Sequence, residues 1–166
     1  MKQKTVFLTR SALLAAAYMG LCHLQNLLLP GSASWAIQFR VAEAMCILAF
    51  FSPAAVAGLS VGCFLFNLSF SGALPLDPII GTLATALSTG IMYLTRHFTL
   101  RTYPLFGMLM PAVFNALLVG WELSLYIGGG FLINASYVFI GEAAVLLCLG
   151  TPFFYAAKAH RLDKLF

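Results

Sequence analysis

AIQFRVAEAMCILAFFSPAAVAGLSVGCFLFNLSF, residues 36–70, is the longest apolar run of the chain. A helix needs about 20 residues to cross the hydrocarbon core of a bilayer, so this stretch is too long for one crossing and short for two. Proline cannot continue a helix interior without losing a backbone hydrogen bond, and Pro53 stands near the middle. We therefore predict that the stretch crosses the membrane twice, with its turn at Ser52 and Pro53.

The composition places the whole chain in the same class. The 166 residues are 61% hydrophobic and 8% charged, whereas a soluble domain carries about 25% charged residues. A single membrane domain, 1–166, is predicted, with no separate soluble domain. The further apolar runs are 11–29, 78–95, 104–127 and 131–157.

Lysine and arginine residues give the orientation of the spans, because they collect on the cytoplasmic side of membrane proteins. The chain has three basic clusters. All three lie on the cytoplasmic side only if an even number of spans separates the first two, which requires the run 36–70 to cross twice. The prediction is an all-α bundle of six transmembrane helices with both termini cytoplasmic. The clusters are Lys2, Lys4 and Arg10; Arg96 and Arg101; and Lys158, Arg161 and Lys164.

Three of the five acidic residues lie inside apolar runs: Glu43, Glu122 and Glu142. An ionisable side chain at the bilayer centre costs about 2.5–3.5 kcal/mol or more, so these side chains should face a protein interior or a wet cavity. In the six-span arrangement Glu43 and Glu122 lie toward the outside and Glu142 near the midplane. This placement predicts a ligand pocket that opens to the outside.

Arg40 stands three residues before Glu43, a spacing at which a helix permits a structural ion pair. No basic residue of the spans is available to Glu122 or Glu142. These two are either protonated, which burial favours, or bonded to donors of a ligand. The second alternative makes them the main candidates for substrate binding, with Arg40 and Glu43 as further candidates.

The remaining candidates for the pocket are three amides and one tryptophan: Asn67, Asn115, Asn134 and Trp121. Asn115 lies seven residues, or two turns, before Glu122, so the two share a helix face. Hydrogen bonds between helices explain buried amides equally well.

Residues near the outer boundary also have ordinary explanations. Trp35 and Trp121 suit interfacial anchors, or an aromatic wall for a flat ligand. Asp77, close to Pro75 and Pro78, is predicted to be a turn residue.

Two spans carry small residues at every fourth position, a pattern that lets another helix approach closely. Each stripe fits either packing inside the bundle or docking of a partner subunit. The stripes are Ala12, Ala16 and Gly20, and Ala54, Gly58 and Gly62.

Other chemistry is absent from the sequence. There is no HExxH or HxxxH motif for a metal and no glycine-rich phosphate loop. The basic residues form no patch for nucleic acid. We therefore predict no catalytic residues, no metal, no cofactor and no nucleic-acid partner.

Several stretches resemble the QueT family, the predicted substrate-binding (S) components of energy-coupling factor (ECF) transporters assigned to queuosine precursors. The resemblance extends in order over roughly 10–155. The stretches are 38–44, 51–54, 62–68, 115–123, and the later Asn134 with Gly141 and Glu142.

The resemblance implies a multi-pass protein of the bacterial cell membrane that binds a small-molecule substrate near its external face. It also implies a transmembrane coupling subunit and two ATPase subunits as partners, with ATP hydrolysis in the latter. Ala12 and Ala16 match the face on the first helix that docks to the coupling subunit.

The resemblance further implies a 7-deazaguanine ligand such as 7-aminomethyl-7-deazaguanine. Glu122 or Glu142 would accept the donor edge of the ring and the other acid would meet the ammonium, while asparagines meet the carbonyl and ring nitrogens. The alternatives are another vitamin-like ligand, a stand-alone proton-coupled transporter with Glu122 and Glu142 as relay groups, and a membrane protein of structural role.

Overall fold

The protein is an all-α membrane protein, described by a computed structural model over residues 2–32, 39–70 and 72–160. Trp35, Gln38, Arg161 and Lys164 lie outside the described residues. The helical elements are α1 (Lys2–Leu28), a 3₁₀ segment (Val41–Phe50), α2 (Pro53–Ser69), α3 (Asp77–Leu94), α4 (Leu105–Met108), α5 (Met110–Tyr126), α6 (Phe131–Val145), a π-helical segment (Leu146–Gly150) and α7 (Thr151–Ala159).

These elements form the six predicted crossings, since α4 leads directly into α5 and the π-helical segment joins α6 to α7. Three of the crossings are long and apolar enough to span a membrane by themselves: Gln3–Leu28, Leu105–Tyr126 and Phe131–Ala159. The longest apolar run turns at Ser52 and Pro53, as predicted. Ser52 caps α2 by accepting a 3.2 Å hydrogen bond from the Ala54 amide, and Pro53 is the first residue of that helix.

The second crossing is shorter than predicted, because it begins at Val41 rather than at residue 36. Arg40 has extended backbone angles (φ −94°, ψ 92°), and the side chain of Gln25 bonds to the backbone of Phe39 and Val41. These bonds compete with helix formation. A 3₁₀ helix rises about 2.0 Å per residue against about 1.5 Å for an α-helix, so the short segment still reaches about 20 Å.

The 3₁₀ segment is the centre of the bundle, and eight of its ten residues are buried. Around it α1 packs against α2, α2 against α3, α3 against α5, and α5 against α6. The segment itself contacts α1, α2, α3, α6 and α7. Residues three apart are eclipsed in a 3₁₀ helix, which places Glu43 and Cys46 on the same side.

The two stripes of small residues have different roles. The stripe on α2 packs against α1: a Cβ added at Gly58 would lie 2.5 Å from the Ser11 carbonyl oxygen, and one at Gly62 would lie 2.7 Å from that of Ala15. The stripe on α1 faces away from the bundle. Its members Ala12, Ala16 and Gly20 are exposed in the described part of the chain.

Gly58→Ala should destabilise the protein, because its methyl group would collide with the backbone of α1. Overpacking of this kind costs about 1–3 kcal/mol. We expect the purified variant to have a lower Tm in detergent than the wild type, measured by an unfolding assay that does not use a thiol-reactive dye. Gly20→Ala is the matched control, since a Cβ there meets nothing within 4 Å. Equal melting temperatures for the two variants would contradict the assigned packing.

Candidate functional site

Two buried glutamates lack hydrogen-bond partners. Glu122 on α5 and Glu142 on α6 are both 0% exposed. All four of their carboxyl oxygens are buried without a hydrogen-bond partner among the described residues. An unbonded buried polar group costs about 1–3 kcal/mol, and a charged group costs more. Native proteins seldom contain such groups without a functional reason.

Asn115 belongs to the same region of α5. Its side-chain oxygen and nitrogen are both buried, and neither has a partner within the described ranges. The spacing of seven residues places Asn115 and Glu122 on one face of the helix, as the sequence predicts. This face therefore offers one buried amide and one buried carboxyl group.

Arg40 is the cation of this region. It lies at the N-terminal end of the 3₁₀ segment and is 8% exposed. Its guanidinium group interacts electrostatically with Asp77 and with Glu142, and its Nε is buried without a partner in the part of the chain that the structure describes. Arg40 thus interacts with carboxyl groups of both α3 and α6.

Glu43 is bonded to two other side chains, although the sequence suggested a pair with Arg40. The Tyr18 hydroxyl donates to Oε1 at 2.5 Å, and the Cys46 thiol donates to Oε2 at 3.1 Å. The eclipsed geometry of the 3₁₀ segment explains the second bond. Glu43 therefore has a structural role. It also interacts electrostatically with Glu142.

Asn67 and Asp77 link α2 to the start of α3. The Asn67 amide donates to the backbone oxygen of Asp77 at 3.1 Å. This approach requires Gly81, where an added Cβ would lie 2.7 Å from the Asn67 nitrogen. Asp77 is the first residue of α3 and accepts a 2.6 Å bond from the amide of Leu74, in the turn that leads into this helix.

Asn134 and Trp121 lie at the margin. The Asn134 amide donates to the Gly128 oxygen at 2.7 Å and closes a turn in which Gly128, Gly129 and Gly130 all have positive φ. Glycine is the residue that adopts this conformation without strain. Trp121 is 45% exposed on the outside of the bundle. The structure does not bring these two side chains to the buried carboxyl groups.

Two residues of α1 contribute to the site without having been predicted. Tyr18 bonds to Glu43, as described, and Gln25 holds the chain that leads into the 3₁₀ segment. Gln25 accepts from the Val41 amide at 2.8 Å, donates to Ser32 Oγ at 2.9 Å and also donates to the Phe39 oxygen. The sequence could have indicated Gln25, because its amide lies within an apolar span. It gave no reason to single out Tyr18.

The site has an excess of acceptors. Three carboxyl groups interact electrostatically with the one guanidinium group, those of Asp77, Glu122 and Glu142 with Arg40, and Glu43 interacts in turn with Glu142. Unbonded oxygens of Glu122, Glu142 and Asn115 can accept hydrogen bonds, and a cation would be attracted. Across residues 2–32, 39–70 and 72–160, no group of three or more His, Cys, Asp and Glu side chains is arranged to hold a metal ion.

Tyr18→Phe should lower the stability of the protein, because it leaves Oε1 of the buried Glu43 without its donor. The expected loss is about 1–3 kcal/mol. A lower Tm in detergent measures it. Tyr137→Phe on the exposed face of α6 is the control and should leave the Tm unchanged. A Tyr18→Phe variant as stable as the wild type would refute the proposed role of this bond.

One comparison with known proteins covers nearly the whole chain. A family model described as QueT transporter matches residues 8–159. No curated protein matches the chain, and no solved structure matches it.

Proposed function

The chain belongs to the QueT transporter family, and on that premise we propose that it is the substrate-binding subunit of an ECF-type uptake transporter. As a member of this family it is a transporter rather than an enzyme. In this proposal it captures a queuosine precursor, a 7-deazaguanine base such as 7-aminomethyl-7-deazaguanine, from outside the cell. ATP hydrolysis takes place in two partner ATPase subunits.

The observation that carries the proposal is the set of unbonded oxygens on Glu122 and Glu142. A guanine-like ring presents its ring N–H and exocyclic amine side by side, and a carboxylate accepts both. The aminomethyl group adds an ammonium. Both ends of this ligand are donors, so it matches a site whose free groups are chiefly acceptors.

Asn115 suits the remaining edge of the ring. Its buried amide nitrogen can donate to the ring carbonyl, and its oxygen can accept from a further N–H. Because Asn115 and Glu122 lie on one face of α5, a flat ligand can meet both. The proposal keeps five further residues that hold or flank this region: Asn67, Asn134, Trp121, Arg40 and Glu43.

Glu122→Gln and Glu142→Gln should each weaken binding of 7-aminomethyl-7-deazaguanine. Each removes a charge-assisted interaction of about 1.5–3 kcal/mol, which corresponds to about a 10- to 100-fold higher Kd. Isothermal titration calorimetry on the purified protein measures the change. Ser136→Ala is the control, because that exposed hydroxyl bonds to the Leu132 oxygen of its own helix at 2.7 Å.

Unchanged affinity in both variants would show that the site lies elsewhere. Displacement of the deazaguanine by an unrelated vitamin would instead favour another vitamin-like ligand on the same architecture. Native mass spectrometry of the protein as purified identifies a ligand that is carried through purification.

The proposed docking surface is the outward stripe of α1. Ala12 and Ala16 are exposed on α1, while Leu14, Ala15 and Tyr18 face the bundle. Small residues allow a helix of the coupling subunit to approach closely. Ala12→Leu combined with Ala16→Leu should abolish assembly with the coupling subunit and ATP-dependent uptake into liposomes, while the Kd for the ligand stays unchanged.

Ala17→Leu is the matched control, because Ala17 is also exposed on α1 but lies off the stripe. It should assemble and transport as the wild type does. Loss of ligand binding in the double variant would mean that the stripe packs inside the bundle. Uptake by the isolated protein, driven by a pH gradient without ATPases, would overturn the ECF assignment in favour of a proton-coupled transporter.

A further inference from the structure

Asp77 and Glu122 lie beside each other at the outer end of the site, although they come from different helices. Leu74 and Ile80, on either side of Asp77, pack against the cluster formed by Val119, Leu123 and Val138. Val119 and Leu123 lie on either side of Glu122 on α5. This packing brings the first turn of α3 against the segment of α5 that carries Glu122.

The position of Asp77 is fixed by two hydrogen bonds. Its Oδ2 accepts from the Leu74 amide at 2.6 Å, and its backbone oxygen accepts from Asn67 at 3.1 Å. The turn therefore uses one of the two carboxyl oxygens. Asp77 is 8% exposed, whereas Glu122 is 0% exposed with both oxygens unbonded among the described residues.

Two neighbouring carboxylates repel each other unless a proton or a cation lies between them. Arg40 interacts with both of them, but it also interacts with Glu142, so its single charge is shared. Glu122 lies within hydrogen-bonding reach of Asp77, so the pair can hold either a shared proton or one further positive charge. A compact ammonium, with three donors, suits two convergent carboxylates.

We propose that Asp77 and Glu122 form the subsite for the ammonium of the ligand, and that Glu142 accepts the neutral donor edge of its ring. This inference rests on the proposed function and assigns Asp77, which the sequence explains as a turn residue, to substrate binding. It also fixes the direction in which the ligand lies in the pocket.

The difference in depth supports this direction. Removing an ammonium from water costs far more than removing a neutral N–H group. Asp77 is 8% exposed and Glu142 is 0% exposed, so the Asp77 end of the site is the end closer to solvent and the one that suits the ammonium. Glu142 is fully buried, and its neighbour Glu43 is already bonded to Tyr18 and Cys46. The neutral edge of the ring is therefore the end that reaches Glu142.

The test compares two ligands with the same ring, 7-aminomethyl-7-deazaguanine and neutral 7-methyl-7-deazaguanine. The wild-type protein should bind the aminomethyl compound at least tenfold more tightly. Asp77→Asn keeps an oxygen for the Leu74 amide but removes the charge. It should raise the Kd of the aminomethyl compound about tenfold and change that of the methyl compound less than twofold, and Glu122→Gln should do the same.

Glu142→Gln is the matched control and should raise the Kd of both ligands by a similar factor. Retained binding of the methyl compound shows that each variant is folded. If Asp77→Asn and Glu122→Gln weaken both ligands equally, the ammonium subsite is refuted. If the wild type binds both ligands equally, the subsite is refuted while the proposed function stands, and if it binds neither, both fail.

Discussion

The hydrogen bond from the Tyr18 hydroxyl to Glu43, 2.5 Å long, joins an outer helix to the segment at the centre of the bundle. Glu43 is fully buried in an apolar interior, where an unbonded carboxyl group is strongly unfavourable. The Tyr18 and Cys46 donors meet this requirement and fix the rotation of the 3₁₀ segment. Arg40 caps the N-terminal end of the same segment, and its guanidinium group interacts electrostatically with carboxyl groups of α3 and α6.

The number of crossings could be predicted because its determinants act locally. Pro53 is tolerated in the first turn of a helix but not in its interior, and the basic clusters predict the side of the membrane on which they lie. The 3₁₀ geometry of the second crossing could not be predicted, because a segment buried on all sides has no polar face to reveal its periodicity. The two small-residue stripes have the same pattern in the sequence, and only the packing shows that Gly58 meets α1 while Ala16 faces outward.

The candidate site could be predicted in part for a similar reason. An acid within an apolar span is visible in the sequence, so Glu122 and Glu142 could be chosen as candidates, and the structure adds that both are buried with unbonded oxygens among the described residues. Their neighbours depend on tertiary contacts between distant parts of the chain. The Gln25 bonds to the backbone around Arg40, the Tyr18 bond to Glu43 and the contact of the Asp77 turn with α5 are of this kind.

The two faces of α1 differ in what they contact. Tyr18 and Gln25 are seven residues apart on its inner face, about 10 Å along the axis, and they hold Glu43 and the Val41 amide respectively. The outer face carries the exposed stripe. These two bonds connect a helix whose other face is exposed to the segment at the centre of the bundle, so a displacement of α1 would have to break them or move that segment with it.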